Sequence, residues 1–96
     1  MSWGGLFESC HRLAVERWPG QVVTITVDST RRATGDVVID CRVCVQSAHN
    51  LEVIATIYPR GRHATHEEAI TSLRKLIAAD AWTHEAWARR ENGGAL

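Results

Sequence analysis

The apolar positions change period along the chain, and the changes divide it into five elements. Over residues 5–18, Leu6, Phe7, Cys10, Leu13, Ala14 and Trp18 share one arc of a helical wheel, with Glu8, Ser9, Arg12 and Glu16 opposite. The spacing predicts an amphipathic helix that Pro19-Gly20 ends. A residue before proline is pushed out of the helical region, and glycine permits the turn. Over 21–28 the period drops to two, with Val23, Ile25 and Val27 on one side and Val22, Thr24 and Thr26 on the other. A β-branched run of that period is a strand. The polar stretch from Ser29 to Gly35 suits a hairpin loop. A second strand follows over 36–47, with Val37, Ile39, Cys41, Val43 and Val45 inward and Val38, Asp40, Arg42, Cys44 and Gln46 on the open face. After a turn at Ala48-His49-Asn50, a third strand over 51–58 points Leu51, Val53, Ala55 and Ile57 inward.

The link Pro-Arg-Gly-Arg-His-Ala (59–64) leads into the main helix, expected over 65–90. Thr65 is placed to cap its first amides, and Glu68, three residues on, completes a capping box. Ile70, Leu73 and Ile77 form its apolar stripe. A continuous helix of this length would run about 39 Å, beyond the reach of a strand of about 27 Å. Past Ile77 the stripe positions hold Asp80 and His84, and Trp82 falls on the opposite side. Either the helix breaks near Asp80, with Thr83 capping a second short helix, or its end projects.

The expected fold is therefore α+β: a three-stranded antiparallel sheet with two helices packed on one face, in the order α-β-β-β-α, and one domain over 1–96. Each strand has one apolar face, which puts both helices on the same side. This order resembles that of the double-stranded-RNA-binding domain over nearly the whole chain. The resemblance is topological and implies nucleic-acid binding. That family grips phosphates with lysines at the start of its last helix, where this chain has His66, Glu67 and Glu68. It also has a Gly-Pro-x-His turn between its first two strands, where this chain has Ser29 to Gly35.

Formal net charge is zero, so no global field draws the chain to nucleic acid or membrane. Any such binding needs charges gathered locally. Ten arginines against the single Lys75 fit either the coding bias of a GC-rich genome or a need for guanidinium forks. No stretch reads as a secretory signal or as a membrane span of about 20 residues. The three cysteines, Cys10, Cys41 and Cys44, are not spaced as a disulfide framework. A reduced, cytoplasmic setting is the expectation.

Catalytic and metal-binding patterns are weak. Cys41-x-x-Cys44 lies in an unbroken strand pattern, so alternation sends the two thiols to opposite faces. His63-x-x-His66 lacks a third ligand at a usual spacing, and His84-Glu85 lacks the second histidine of an HExxH motif because position 88 is alanine. No nucleophile elbow or glycine-rich phosphate loop is present. The expectation is a non-enzyme with no cofactor and no metal.

Two surface features remain. In an up-down-up meander the first loop and the link after the third strand share one end of the sheet. This gathers Arg31, Arg32, Arg60, Arg62, His63 and His66 beside the main helix N-terminus, as a surface for anions or a partner. A projecting helix end would offer Trp82 and Trp87 as interface anchors. Size and style resemble small phage inhibitors such as the anti-CRISPR proteins. That resemblance implies a non-enzymatic docking protein for a protein or nucleoprotein partner. The other readings are a nucleic-acid-binding module and a structural homo-oligomer, such as a phage component, joined through its C-terminal helix.

Overall fold

The computed structural model describes residues 3–83. Its elements are α1 (Trp3–Arg17), β1 (Val22–Arg31), β2 (Val37–Gln46), β3 (Val53–Ile57) and α2 (His66–Ala78). The strands form one antiparallel sheet in the order β1-β2-β3. The class is α+β and the order α-β-β-β-α, as the periodicities predict. β2 is paired on both sides. Its inward residues Ile39, Cys41, Val43 and Val45 are at most 4% exposed. Cys10 and Ala14 of α1, and Ala69, Ile70, Leu73 and Ile77 of α2, complete the core on that face. Two sulfur contacts tie the layers together. Cys41 Sγ donates to the Ala69 carbonyl at 3.2 Å, and Cys10 Sγ to the Ile70 carbonyl at 3.6 Å.

The start of α2 follows the sequence closely. Thr65 is extended (φ −132°, ψ 157°), and its hydroxyl accepts from the Glu68 amide at 3.1 Å. Glu68 reaches back and accepts from the Ala64 amide at 3.1 Å. Thr65 therefore satisfies one donor that the first turn leaves unpaired, and Glu68 ties down the link one residue before the cap rather than the cap's own amide.

The end of α2 selects the break near Asp80 over the long helix. It stops at Ala78 rather than running to 90. The Ala81 amide donates to the Leu76 carbonyl and the Asp80 amide to the Ile77 carbonyl, both at 3.0 Å. This bond pair is the Schellman stop, which requires a left-handed residue after the cap. Glycine usually supplies it; here Asp80 does, at φ 55°, and aspartate is among the few residues that tolerate the conformation. Its carboxylate is held by Arg17 Nε at 2.7 Å. The chain then turns back, and among the described residues α2 has no projecting end. Trp82, expected to be exposed, is 8% exposed. Its ring meets Trp18 edge to face, with centroids 5.7 Å apart. Thr83 exchanges two backbone bonds with Thr56, each 2.9 Å, along the outer edge of β3, and the second short helix it was expected to cap lies outside the described residues. Trp87 lies outside the described residues.

Smaller departures have local causes. β1 runs on to Arg31, so the hairpin loop is only 32–36, closed by Arg32 N–H to the Asp36 carbonyl at 2.8 Å. Gly35 takes φ 92° there. β3 begins two residues late. A tight turn on Ser47, with the Leu51 amide donating to its carbonyl, leaves Leu51 left-handed at φ 61° and 60% exposed instead of inward. The bulge between Val45 and Gln46 absorbs the offset. Val37, expected inward, is exposed at the start of β2. Ser9, expected on the polar side of α1, is buried against α2 and accepts from Arg74 Nε at 2.9 Å.

Three substitutions test this core and the turn that closes it. Leu73→Ala is expected to cost about 2–5 kcal/mol in denaturant unfolding, as truncation of a fully buried leucine does; a cost below about 0.5 kcal/mol is that of a surface site and would contradict the packing. Trp82→Ala is expected to cost about 3–5 kcal/mol. Asp80→Asn keeps the left-handed tolerance and loses only an exposed ion pair, so it should cost under about 1 kcal/mol. A small Trp82→Ala effect with an unchanged melting temperature would return that ring to the surface.

Candidate functional site

The helices cover one face of the sheet, and the other face carries side chains the fold does not use. Alternation places Thr24, Thr26, Asp28 and Thr30 of β1, with Val38, Asp40 and Arg42 of β2, on this open face. The register sets Thr26 opposite Arg42, Asp28 opposite Asp40 and Thr30 opposite Val38. Beyond β3 the link runs back along β2, because the Ile39 amide donates to the His63 carbonyl at 2.9 Å. That bridge turns His63 towards the helices and its neighbour Arg62 to the open face.

Arg32 and Arg62 consequently border the same hollow. They line a shallow cavity of about 330 Å³ with Thr30, Val38 and Asp40. An adjoining cavity of about 450 Å³ shares Thr30 and Asp40 and extends to Asp28, Arg42 and Tyr58. Together they form a trough with Arg32 and Arg62 at one end, two carboxylates in the middle, and Arg42 and the exposed Tyr58 at the other. Asp28 and Asp40 are direct cross-strand partners. Like charges so placed destabilise a sheet, on the scale of about 0.2–1 kcal/mol per pair.

The other basic residues expected at this pole are dispersed. Arg31 ends β1 on the helix side of the sheet, and its guanidinium donates to the Gly35 carbonyl at 3.4 Å. Arg60 turns to the outer side of β3, where it lines a groove of about 510 Å³ with Tyr58, Lys75 and Leu76. The His66 ring stacks on Trp3, with centroids 4.9 Å apart and planes at 26°. The α2 N-terminus offers no open anion seat: Thr65 caps it, and Glu67 and Glu68 line the adjacent hollow. Sequence periodicity finds Arg42 and Asp40 on the open face. It does not show that Asp28 stands opposite Asp40, because register between strands is not written in either strand alone.

His63 makes a contact that no motif announced. Its Nε2 lies 3.1 Å from Ser72 Oγ, a spacing suited to a base and a hydroxyl. Its Nδ1 is buried without a partner among the described residues. A catalytic base has its second nitrogen oriented by a third group, and here that position is empty of one. The pair clamps the link onto α2.

The cysteines separate as alternation requires, with Cys41 in the core and Cys44 half-buried on the open face. Burial pushes the Cys10 thiol from an ordinary 9.0 up to about 11, against a smaller opposing effect of Arg74. Burial likewise raises Cys41 to about 11, with Cys10 and Asp40 adding to it. Among the described residues no cluster of three or more His, Cys, Asp or Glu side chains is placed to hold a metal ion. No described helix is long and apolar enough to cross a membrane.

No family model matches this chain, no curated protein matches it, and no solved structure matches it.

The thiol environments give a direct check on the two faces. At neutral pH a maleimide should label Cys44 well before Cys10 or Cys41, because the thiolate is the nucleophile and the buried pair stays protonated until the chain unfolds. Equal labelling of all three thiols in the folded protein would contradict the placement of Cys10 and Cys41.

Proposed function

We propose that this chain is a non-enzymatic docking protein that binds a protein partner through the uncovered face of its sheet, in the manner of the small phage inhibitors it resembles in size. The observation that carries this reading is the trough's charge order: Arg32 and Arg62, then Asp28 and Asp40, then Arg42. Guanidinium forks at both ends suit carboxylates of a partner. The facing aspartates suit a partner's lysine or arginine between them. A phosphate backbone would lay negative charge along its whole length and meet those aspartates. Mixed-sign complementarity of this kind serves specificity and encounter rate more than raw affinity. Tyr58, 57% exposed at one end, adds an aromatic contact of the type common in interfaces.

The test begins with capture of the partner by the tagged chain from its native host. Binding of that partner is then measured for Arg32→Ala with Arg62→Ala, and separately for Asp40→Lys. Each variant is expected to weaken binding by about tenfold or more, with a melting temperature close to that of the parent. Unchanged affinity in both would remove the trough from the interface. A salt titration with duplex RNA addresses the nucleic-acid reading. Tight binding that falls steeply with salt, and is lost in the arginine variant, would replace the protein partner with a phosphate backbone.

A further inference from the structure

The two edges of the sheet are finished differently. β3 is five residues long, it is followed by Pro59, and Thr83 occupies its outer side. β1 is ten residues long, and its pairing with β2 is regular from Val22 to Arg31 with no bulge. It contains no proline and no lysine, and its only charged residues are Asp28 and Arg31. Those are the devices by which proteins usually protect an edge, and β1 lacks them.

The hydrogen-bond phase shows which backbone groups are left over. The Ile39 amide points away from β1, to the His63 carbonyl. Its partner across β1–β2 is Ser29, which therefore directs its own N–H and C=O away from β2. The same parity applies along the strand. Val23, Ile25, Val27, Ser29 and Arg31 present their polar backbone groups on the outer edge, and no described residue bonds to them there. A second, independent observation concerns side chains. Val23, Ile25 and Val27 face the core but are only partly buried, whereas their partners on β2 (Val45, Val43 and Cys41) are at most 4% exposed. The apolar row beneath the open edge is incomplete.

We propose that β1 pairs antiparallel with β1 of a second copy, about a two-fold axis at Val27, to form a continuous six-stranded sheet. The edge groups belong to odd-numbered residues, so only registers that pair odd with odd are allowed. The axis at Val27 uses all of them: Val27 meets itself, Ile25 meets Ser29 and Val23 meets Arg31. On the open face Thr24 then lies opposite Thr30, and Thr26 opposite Asp28. No like charges face each other, which an axis at Asp28 would impose. A net charge of zero removes the repulsion that otherwise keeps copies apart. The two open faces join into one surface, but the pairing does not depend on what that surface binds.

The experiment is sedimentation of the full chain over a range of concentrations, with three variants. The parent is expected to show a concentration-dependent dimer. Ser29→Pro removes an outward N–H without touching the β1–β2 ladder, so it should be monomeric with its circular dichroism retained. Thr30→Pro removes an inward N–H and should lower the melting temperature instead. Val27→Cys, in a background with Cys41→Ala to remove its cross-strand neighbour and Cys44→Ser, places two thiols across the axis. Hydrogen-bonded antiparallel partners have Cα atoms about 5.5 Å apart, within disulfide range. Mild oxidation should therefore cross-link it, whether or not Ser29→Pro folds. A parent that stays monomeric at millimolar concentration overturns the proposal and leaves the edge to a strand of another protein. A dimer unaffected by Ser29→Pro, or a Val27→Cys variant that fails to cross-link, overturns it as well.

Discussion

The structure depends on one contact, the apolar stripe of α2 lying along the inner row of β2. Ala69, Ile70, Leu73 and Ile77 meet Ile39, Cys41, Val43 and Val45, and every other element leans on this pair. β1 and β3 hydrogen-bond to β2. α1 reaches the core through Cys10 and Ala14, and its Cys10 thiol donates to a carbonyl of α2. Burial of the row's Val, Leu and Ile side chains is worth about 1.5–3 kcal/mol each, which makes this row the main source of cohesion in a small domain. The small residues in it set the spacing. Ala69, Cys10, Ala14 and Cys41 leave no bulk between the layers, so the sulfurs lie against helix carbonyls that already serve the helix ladder.

The second constraint is how α2 ends. A helix that continued past Ala78 would have carried Trp82 into solvent. The Schellman stop instead turns the chain so that Trp82 reaches Trp18, at the far end of α1, and Thr83 reaches Thr56 at the edge of β3. One left-handed residue, Asp80, thus connects α2 to both ends of the domain. Arg17 participates twice, binding the Asp80 carboxylate and lying over the Trp18 ring at 4.4 Å. The exposed ion pair adds little energy by itself; its contribution is to hold the turn in place.

The sequence was most legible where a rule is local. Alternation found the inward rows of β1 and β2, the 3.6 period found α2, and Thr65 with Glu68 announced its cap. It was least legible where the outcome rests on contacts distant along the chain. No glycine stands at 78–82, so the usual stop signal was missing; the failing stripe left a break near Asp80 as one of two outcomes, and the Arg17 and Trp18 contacts that favour it are distant along the chain. Leu51 matched the alternation of β3 but was displaced by the Ser47 turn. The candidate site divides in the same way. Topology correctly brings Arg32 near Arg62, but the bridge from Ile39 to His63 sets the facing of the link. It sends Arg62 to one side of the sheet and His63 to the other, while Arg60 and His66 go elsewhere. The facing aspartates depend on register, which only the paired strands define.

The functional surfaces follow from this one-sided construction. A sheet covered on one face leaves the other for docking, and a helix layer that only partly buries the inward row of β1 leaves that edge unfinished. Both readings require that the α2–β2 contact is the stable unit of the fold, with β1 outermost. Native-state hydrogen exchange against denaturant tests this directly. The account predicts that inner-row amides of β2, such as Val43, and those of α2, such as Leu73, exchange only through global unfolding, at one shared free energy and denaturant slope. Amides of α2 that open at a much lower free energy than those of β2, with the sheet still protected, would contradict it.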